Sequence, residues 1–153
     1  MLPPTSTRVS DHTSNRVNRQ IREQTEQNIQ KYASEGPSAI NARLAELDEE
    51  WDIERTLEAN AAALMLIGLG LGTLVSKKWC ILPGVVSSFL LQHALQGWCP
   101  PVPVFRRMGI RTAEEIHAEK YALKAVRGDF EPVYEKGGRE KAAYKNAVDA
   151  AMA

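Results

Sequence analysis

The twenty residues from Trp79 to Trp98 carry no charged side chain, and a second charge-free run of seventeen, Ala59 to Val75, lies just before them. Only Ser76-Lys77-Lys78 separates the two runs. At a helical rise of about 1.5 Å per residue, twenty residues reach roughly 30 Å, the thickness of a bilayer's hydrocarbon core. Tryptophan collects at membrane interfaces because its ring is apolar while its N–H needs a polar partner. The pattern predicts an all-α chain: an integral membrane helical hairpin of two transmembrane helices, with flanking cytoplasmic helices.

The alternative is a hairpin buried within a soluble protein. Two apolar helices would then need amphipathic helices to cover them, and few apolar residues lie outside residues 59–105. Overall composition conceals the contrast, because 44% hydrophobic residues and a net charge of zero describe an ordinary soluble chain. Residues 1–58 carry seven bases and eleven acids, and residues 106–153 carry ten bases and eight acids. Neither flank has the basic excess of a nucleic-acid binder. The first 58 residues are too polar for a signal peptide, so the first hairpin helix is expected to direct insertion.

Along the chain, residues 1–12 read as a disordered lead-in, with Pro3-Pro4 and several Ser and Thr. N-terminal cytoplasmic helices are expected over 13–58. One covers about Thr13 to Ala33, and Gly36-Pro37 ends it. Ser38 is the expected N-cap of the next, which carries Ile40, Leu44, Leu47 and Trp51 on one face. With no Gly or Pro between Ala39 and Ile67, this helix is expected to continue into the membrane. The hairpin takes 59–98, as spans 59–75 and 79–98. A juxtamembrane segment and helix follow over 99–136; Cys99-Pro100-Pro101-Val102-Pro103 cannot lie inside a helix. Thr112-Ala113-Glu114-Glu115 has the pattern of a capping box and predicts a helix to about Val126. The tail, 137–153, holds a last short helix between Arg139 and Ala151.

Trp79 and Trp98 are the expected interface anchors. Gly68 and Gly72 have the spacing that lets helix backbones approach, and Ser88, Gln92 and Gln96 share one face of the second span. These five are expected helix-packing positions. Gln and His could instead line a solute path, but two helices cannot enclose a pore, so that reading needs an oligomer. The connecting loop has Lys77 and Lys78, against Arg43, Arg55, Arg106, Arg107 and Arg111 near the outer ends, which places both termini in the cytoplasm. Acidic Glu50, Glu54 and Glu58 are then expected to pair with Arg106, Arg107 and Arg111. That match would dock the helix after Thr112 against the Ile40–Trp51 helix.

Glu54-Arg55, the glycine-rich first span, Gly97-Trp98-Cys99-Pro100 and Met108-Gly109-Ile110-Arg111-Thr112 together resemble a known group. The chain is similar, over about residues 52–115, to the two-helix transmembrane domain of YgaP-like bacterial inner-membrane proteins, a domain family of unknown function. In some relatives this hairpin anchors a rhodanese and helps form a dimer. The resemblance implies a bacterial inner membrane and homo-oligomerisation. It does not imply sulfur transfer, since positions 100, 101 and 103 are prolines and offer no N–H groups to cradle a persulfide.

No catalytic residue, cofactor or metal site is expected. Cys80 and Cys99 stand at opposite ends of one span, about 28 Å apart, which excludes a bridge between them. Glu114-x-x-His117 is half of a di-iron pattern, and only one copy occurs. The expected role is that of a membrane-anchored structural or interaction module. Its partners are the lipid bilayer, further copies of itself and a protein docking on its cytoplasmic helices. The competing roles are a subunit of a small-solute export or channel assembly, for which Gln92, His93 and Gln96 would line the path, and a sulfur- or redox-linked accessory, which would require a reactive Cys99.

Overall fold

The computed structural model describes residues 3–131 together with 147, 148 and 151. Among the described residues the regular elements are helical. They are α1 (Arg8–Asp11), α2 (Asn15–Glu35), α3 (Pro37–Glu49), α4 (Ile53–Leu74), a 3-10 turn (Lys77–Cys80), α5 (Ile81–Gln96), α6 (Val102–Arg107) and α7 (Ala113–Arg127). The chain forms two compact units, Met1–Ile21 with Trp51–Glu114, and Arg22–Glu50 with Glu115–Ala153.

In the first unit, α4 begins at a cap rather than continuing α3. Glu50 is extended (ψ 128°), Asp52 has ψ 171°, and the Asp52 carboxylate accepts from the Arg55 N–H at 2.8 Å. Such a cap contributes about 1 kcal/mol, and Glu54 in the first turn complements the helix dipole. The single long helix expected from Ala39 to Ile67 is therefore two helices. An aspartate can start a helix in the middle of a strongly helical stretch, with no Gly or Pro to mark the boundary.

The apolar part of α4 belongs to the one helical stretch among the described residues, within Pro37–Leu74, that is long and apolar enough to cross a membrane. α5 is shorter, at 16 residues, and the 3-10 turn extends it at its N-terminal end. α4 and α5 pack along each other. The seam on α4 runs through Glu54, Leu57, Ala61, Met65, Gly68 and Gly72, a three-four spacing that keeps one face toward α5. A Cβ on Gly68 would lie 2.5 Å from Pro83 Cδ, and one on Gly72 would lie 2.6 Å from Cys80 Sγ. Both glycines are where the two chains come closest.

That close approach fixes the rotation of α5. Leu82, Pro83, Val86, Leu90 and His93 turn inward, all buried or half-buried. The face expected to pack, Ser88-Gln92-Gln96, is rotated away: Ser88 and Gln96 are exposed and only Gln92 is half-buried. Ser88 Oγ donates to its own helix at Gly84 O (2.8 Å). Small residues on α4 drew Leu82 and Pro83 into the seam, and the polar stripe followed the helical geometry outward.

Residues 1–12, expected to be a disordered lead-in, contain α1. Val9 is buried with Ile53, Leu57, Cys99 and Val102, and Phe105 and Ile110 pack against this cluster. The prolines after Cys99 start a helix, with Pro101 at the cap of α6 and another proline in its first turn, where a missing N–H costs nothing. Past α6 the chain returns to the start of α4, where the Ile53 N–H donates to Arg111 O at 2.8 Å.

The second unit joins α3 and α7, with Ile40, Leu44 and Leu47 packed on Ile116 and Leu123, and Ile29 and Tyr32 of α2 beside them. Gly36, not Ser38, caps α3: its φ of 94° is a conformation glycine adopts freely, and Pro37 supplies the fixed φ of the first helical position. α7 begins directly after Thr112 and ends before Gly128, whose φ is 91°. The Glu119 side chain is fully buried and accepts from Arg43 Nε at 2.8 Å. Burial works against the Arg43 charge, but the Glu119 and Glu46 carboxylates outweigh it and raise its pKa. The short helix expected within 139–151 lies outside the described residues, except for 147, 148 and 151.

Gly68→Val should lower the melting temperature of the detergent-solubilised protein, with an overpacking cost of about 1–3 kcal/mol. Gly70, with nothing within 4 Å of its Cβ position, should accept Ala without loss, since the helix interior favours it by up to about 1 kcal/mol. Thermal unfolding of the two variants tests the seam, and equal losses would place it elsewhere.

Candidate functional site

Polar side chains of the first unit converge at the open end of the α4–α5 hairpin. Glu54, in the first turn of α4, is shared: Oε1 accepts from Arg8 Nη2 at 2.7 Å, and Oε2 meets His93 Nε2 at 2.8 Å. His93, near the end of α5, is 2% exposed. Helical spacing puts it there, since it continues the inward face from Val86 and Leu90 while Gln92 and Gln96 do not.

The chain then turns sharply. Gly97 has φ 76° and donates its N–H to His93 O at 2.7 Å, a left-handed helix end that suits glycine. A Cβ there would also lie 2.4 Å from Arg8 O. Gly97 therefore serves twice, as helix terminator and as the floor on which α1 rests. The turn brings Cys99, 4% exposed, into the apolar cluster. His93 Nδ1 is buried and makes no hydrogen bond. Arg8 Nε is a second buried nitrogen without a partner.

Glu54 lies before the apolar part of α4. The hydrogen bond from His93 holds its carboxyl below the usual range, burial opposes this, and Arg8 adds to the lowering. Behind the site, Arg106 is 1% exposed; its Nε donates to Thr13 Oγ1 (3.2 Å), Nη1 to Ile110 O (3.1 Å) and Nη2 to Asn18 Oδ1 (3.1 Å). These bonds join the segment after α1 and the start of α2 to α6.

Glu54 and Arg106, two of the groups expected to pair, meet other side chains. Glu54 is bound by Arg8 and His93. Arg106 serves as an internal brace, because its burial in α6 requires hydrogen-bond acceptors that carbonyls and amides can supply. Arg111 is buried, Arg107 and Glu58 are exposed, and in the second unit Glu50 lies 3.9 Å from Arg43. α7 does pack on α3 as expected, but through an apolar core and the Arg43–Glu119 pair. Trp79 is 46% exposed in the 3-10 turn and Trp98 is half-buried. Arg8 was missed by the sequence reading, since nothing near it in the chain shows that it meets a residue 46 positions later.

Chemically, the cluster is a carboxylate held between a guanidinium and an imidazole. Among the described residues, no group of three or more His, Cys, Asp or Glu is arranged to hold a metal ion. Glu114 and His117 lie exposed on α7.

Glu54→Gln removes the counter-charge of both Arg8 and His93 and should cost about 1–3 kcal/mol. A carboxyl whose folded pKa is lowered contributes stability above its unfolded value of 4.5, and this is lost as pH falls further. Acid titration of unfolding should therefore show wild type and variant converging as pH drops below 4.5. A constant offset across that range would show that the charge is not what stabilises the site.

Compared with protein-family models, with curated proteins and with solved structures, the chain matches none.

Proposed function

We propose that this chain is a membrane-anchored interaction module: a two-span hairpin with both termini cytoplasmic that self-associates and presents its second unit to a protein partner. The observation that carries the reading is the apolar exterior of the hairpin. Leu66, Ile67, Leu69, Leu74, Val75, Ile81, Val85, Leu91 and Leu95 are all exposed, and only 22% of the most apolar stretch of α4 is buried. A core helix of a soluble protein would be mostly covered, and an uncovered apolar surface of this extent suits lipid.

The polar groups on this exterior suit lipid as well. Thr73 Oγ1 donates to Leu69 O and Gly70 O, and Ser87 and Ser88 donate to Pro83 O and Gly84 O. Hydroxyls satisfied within their own helix carry little penalty in hydrocarbon. The outward Ser88-Gln92-Gln96 face gives a second hairpin amide groups to bond, which supports self-association. The similarity to the YgaP-like hairpin domain, in Gly97-Trp98-Cys99-Pro100 and the glycine-rich first span, points to a bacterial inner membrane.

α5 with the 3-10 turn supplies the second span, and Lys77 and Lys78 mark the far side. Alkaline carbonate extraction should leave the protein in the membrane pellet. In a Cys99→Ala variant, an impermeant maleimide should label Cys80, exposed in the turn, from outside intact spheroplasts. Release into the supernatant, or labelling of Cys80 only after lysis, would overturn the anchor or its orientation respectively.

A further inference from the structure

α6 crosses the open end of the hairpin. Gly97 ends α5 in a left-handed turn, α6 follows over Val102–Arg107, and Arg111 O then accepts from the Ile53 N–H at the start of α4. The chain thus runs from the end of one hairpin helix to the beginning of the other. It has two faces. Val102 and Arg106 are buried, and Phe105 packs on the apolar cluster. Pro100, Pro101, Val104, Arg107 and Met108 are exposed, Val104 at 54% and Met108 at 70%. Positions 101, 104 and 108 have the three-four spacing of one helical face, so the exposed groups form an apolar stripe with a cation beside it.

Position and charge say what covers that stripe. Three residues separate Trp98 from Val102, which holds α6 close to the layer where hydrocarbon gives way to headgroups. From Trp98 to Ala113 the chain carries Arg106, Arg107 and Arg111 and no acid. Of the acids at the start of α4, Asp52 caps the helix, Glu54 holds Arg8 and His93, and Glu58 is exposed. At the same end Trp51 is 48% exposed, with the Arg55 guanidinium stacked 4.3 Å from its ring. Apolar groups interleaved with arginine suit an interface that is hydrocarbon on one side and anionic on the other.

We propose that the outer face of α6 is a binding surface for anionic phospholipid, with Pro101, Val104 and Met108 entering the interfacial layer and Arg107 meeting the phosphate groups. The inference rests on the anchoring role proposed above and adds a lipid preference to it. A segment tied to both hairpin helices and seated on the headgroups sets the depth at which the hairpin lies.

The test uses the full chain carrying Cys80→Ser and Cys99→Ala, with one new cysteine labelled by an environment-sensitive fluorophore. Met108→Cys reads α6, and Leu91→Cys, on the exposed side of α5, reads the anchor. The protein is reconstituted in vesicles of phosphatidylcholine, with or without phosphatidylglycerol, that include lipid brominated either high on the acyl chain or near its end. Lipid brominated high on the chain should quench the label at 108, more strongly by at least about twofold when phosphatidylglycerol is present. Arg107→Glu should remove that difference, and Val104→Asp should lower the quenching at 108 in both vesicles while leaving position 91 unchanged. Both side chains are exposed, and the unchanged reading at 91 reports that each variant still inserts. The proposal is overturned if position 91 is quenched by lipid while 108 stays open to aqueous iodide, the result expected if a protein partner covers α6. Equal quenching at 108 in the two vesicle types, or no loss in either variant, overturns it as well. Absence of lipid quenching at both positions would overturn the anchoring role, and this surface with it.

Discussion

The arrangement of the first unit depends on one carboxylate. Glu54 holds Arg8 with one oxygen and His93 with the other, so a single side chain joins α1, the start of α4 and the end of α5. Each connection spans a long stretch of sequence and closes a loop whose entropy must be offset. Charge-assisted bonds are suited to that task, being shorter and about twice as strong as neutral ones. The apolar cluster of Val9, Ile53, Leu57, Cys99 and Val102 forms around this bridge. Ile53 and Leu57 flank Glu54 on α4, and Val9 directly follows Arg8. Without the bridge, α1 is a four-residue helix, too short to persist on its own helical propensity.

The second unit is built on a different balance. α3 and α7 meet through aliphatic side chains, and the buried carboxylate of Glu119 is neutralised by Arg43 from the facing helix. Arg43 stacks near the Tyr32 ring of α2, 5.6 Å from its centre. One guanidinium thus touches all three helices of this unit. Lys124 is buried more uneasily: burial lowers its pKa, and its ammonium donates to Ala151 O at 3.1 Å. Burial disfavours the charged form of an amine, and the neighbouring Lys120 acts in the same direction.

Features governed by local chemistry were legible in the sequence. The break at Gly36-Pro37, the start of α7 after Thr112 and the close approach at Gly68 and Gly72 follow from backbone freedom, capping and side-chain size. Three features were not legible, for distinct reasons. The boundary at Asp52 has no Gly or Pro; the signal was an aspartate three residues before Arg55, within a run of acids that made any single one inconspicuous. α1 holds one apolar residue in four, and what orders it lies on α4 and beyond α5. The candidate site required the register of α4 against α5, which pairs residue 54 with 93, 65 with 87, 68 with 83 and 72 with 80. The last three pairs share one register, as an antiparallel hairpin demands. Once Gly68 is matched to Pro83, His93 falls about one helical turn from the position opposite Glu54, within reach of its long side chain. The inward face of α5 follows from the glycines, whereas the polar stripe at Ser88, Gln92 and Gln96 lies on the side away from α4.

The rotation of α5 that buries His93 also decides what the hairpin can offer to a neighbour. A helix that turned Gln92 and Gln96 inward would satisfy its amides against α4 and leave an exterior of aliphatic groups alone. Here Gly68 and Gly72 admit Pro83 and Cys80 so closely that α5 cannot turn the other way without driving Cβ-bearing atoms into the α4 backbone. The amides are consequently left on the outer side. If the hairpin lies in lipid as proposed, an outward amide has few partners there except another amide. The steric demand of the two glycines on one face of α5 thus decides which polar groups its other face presents.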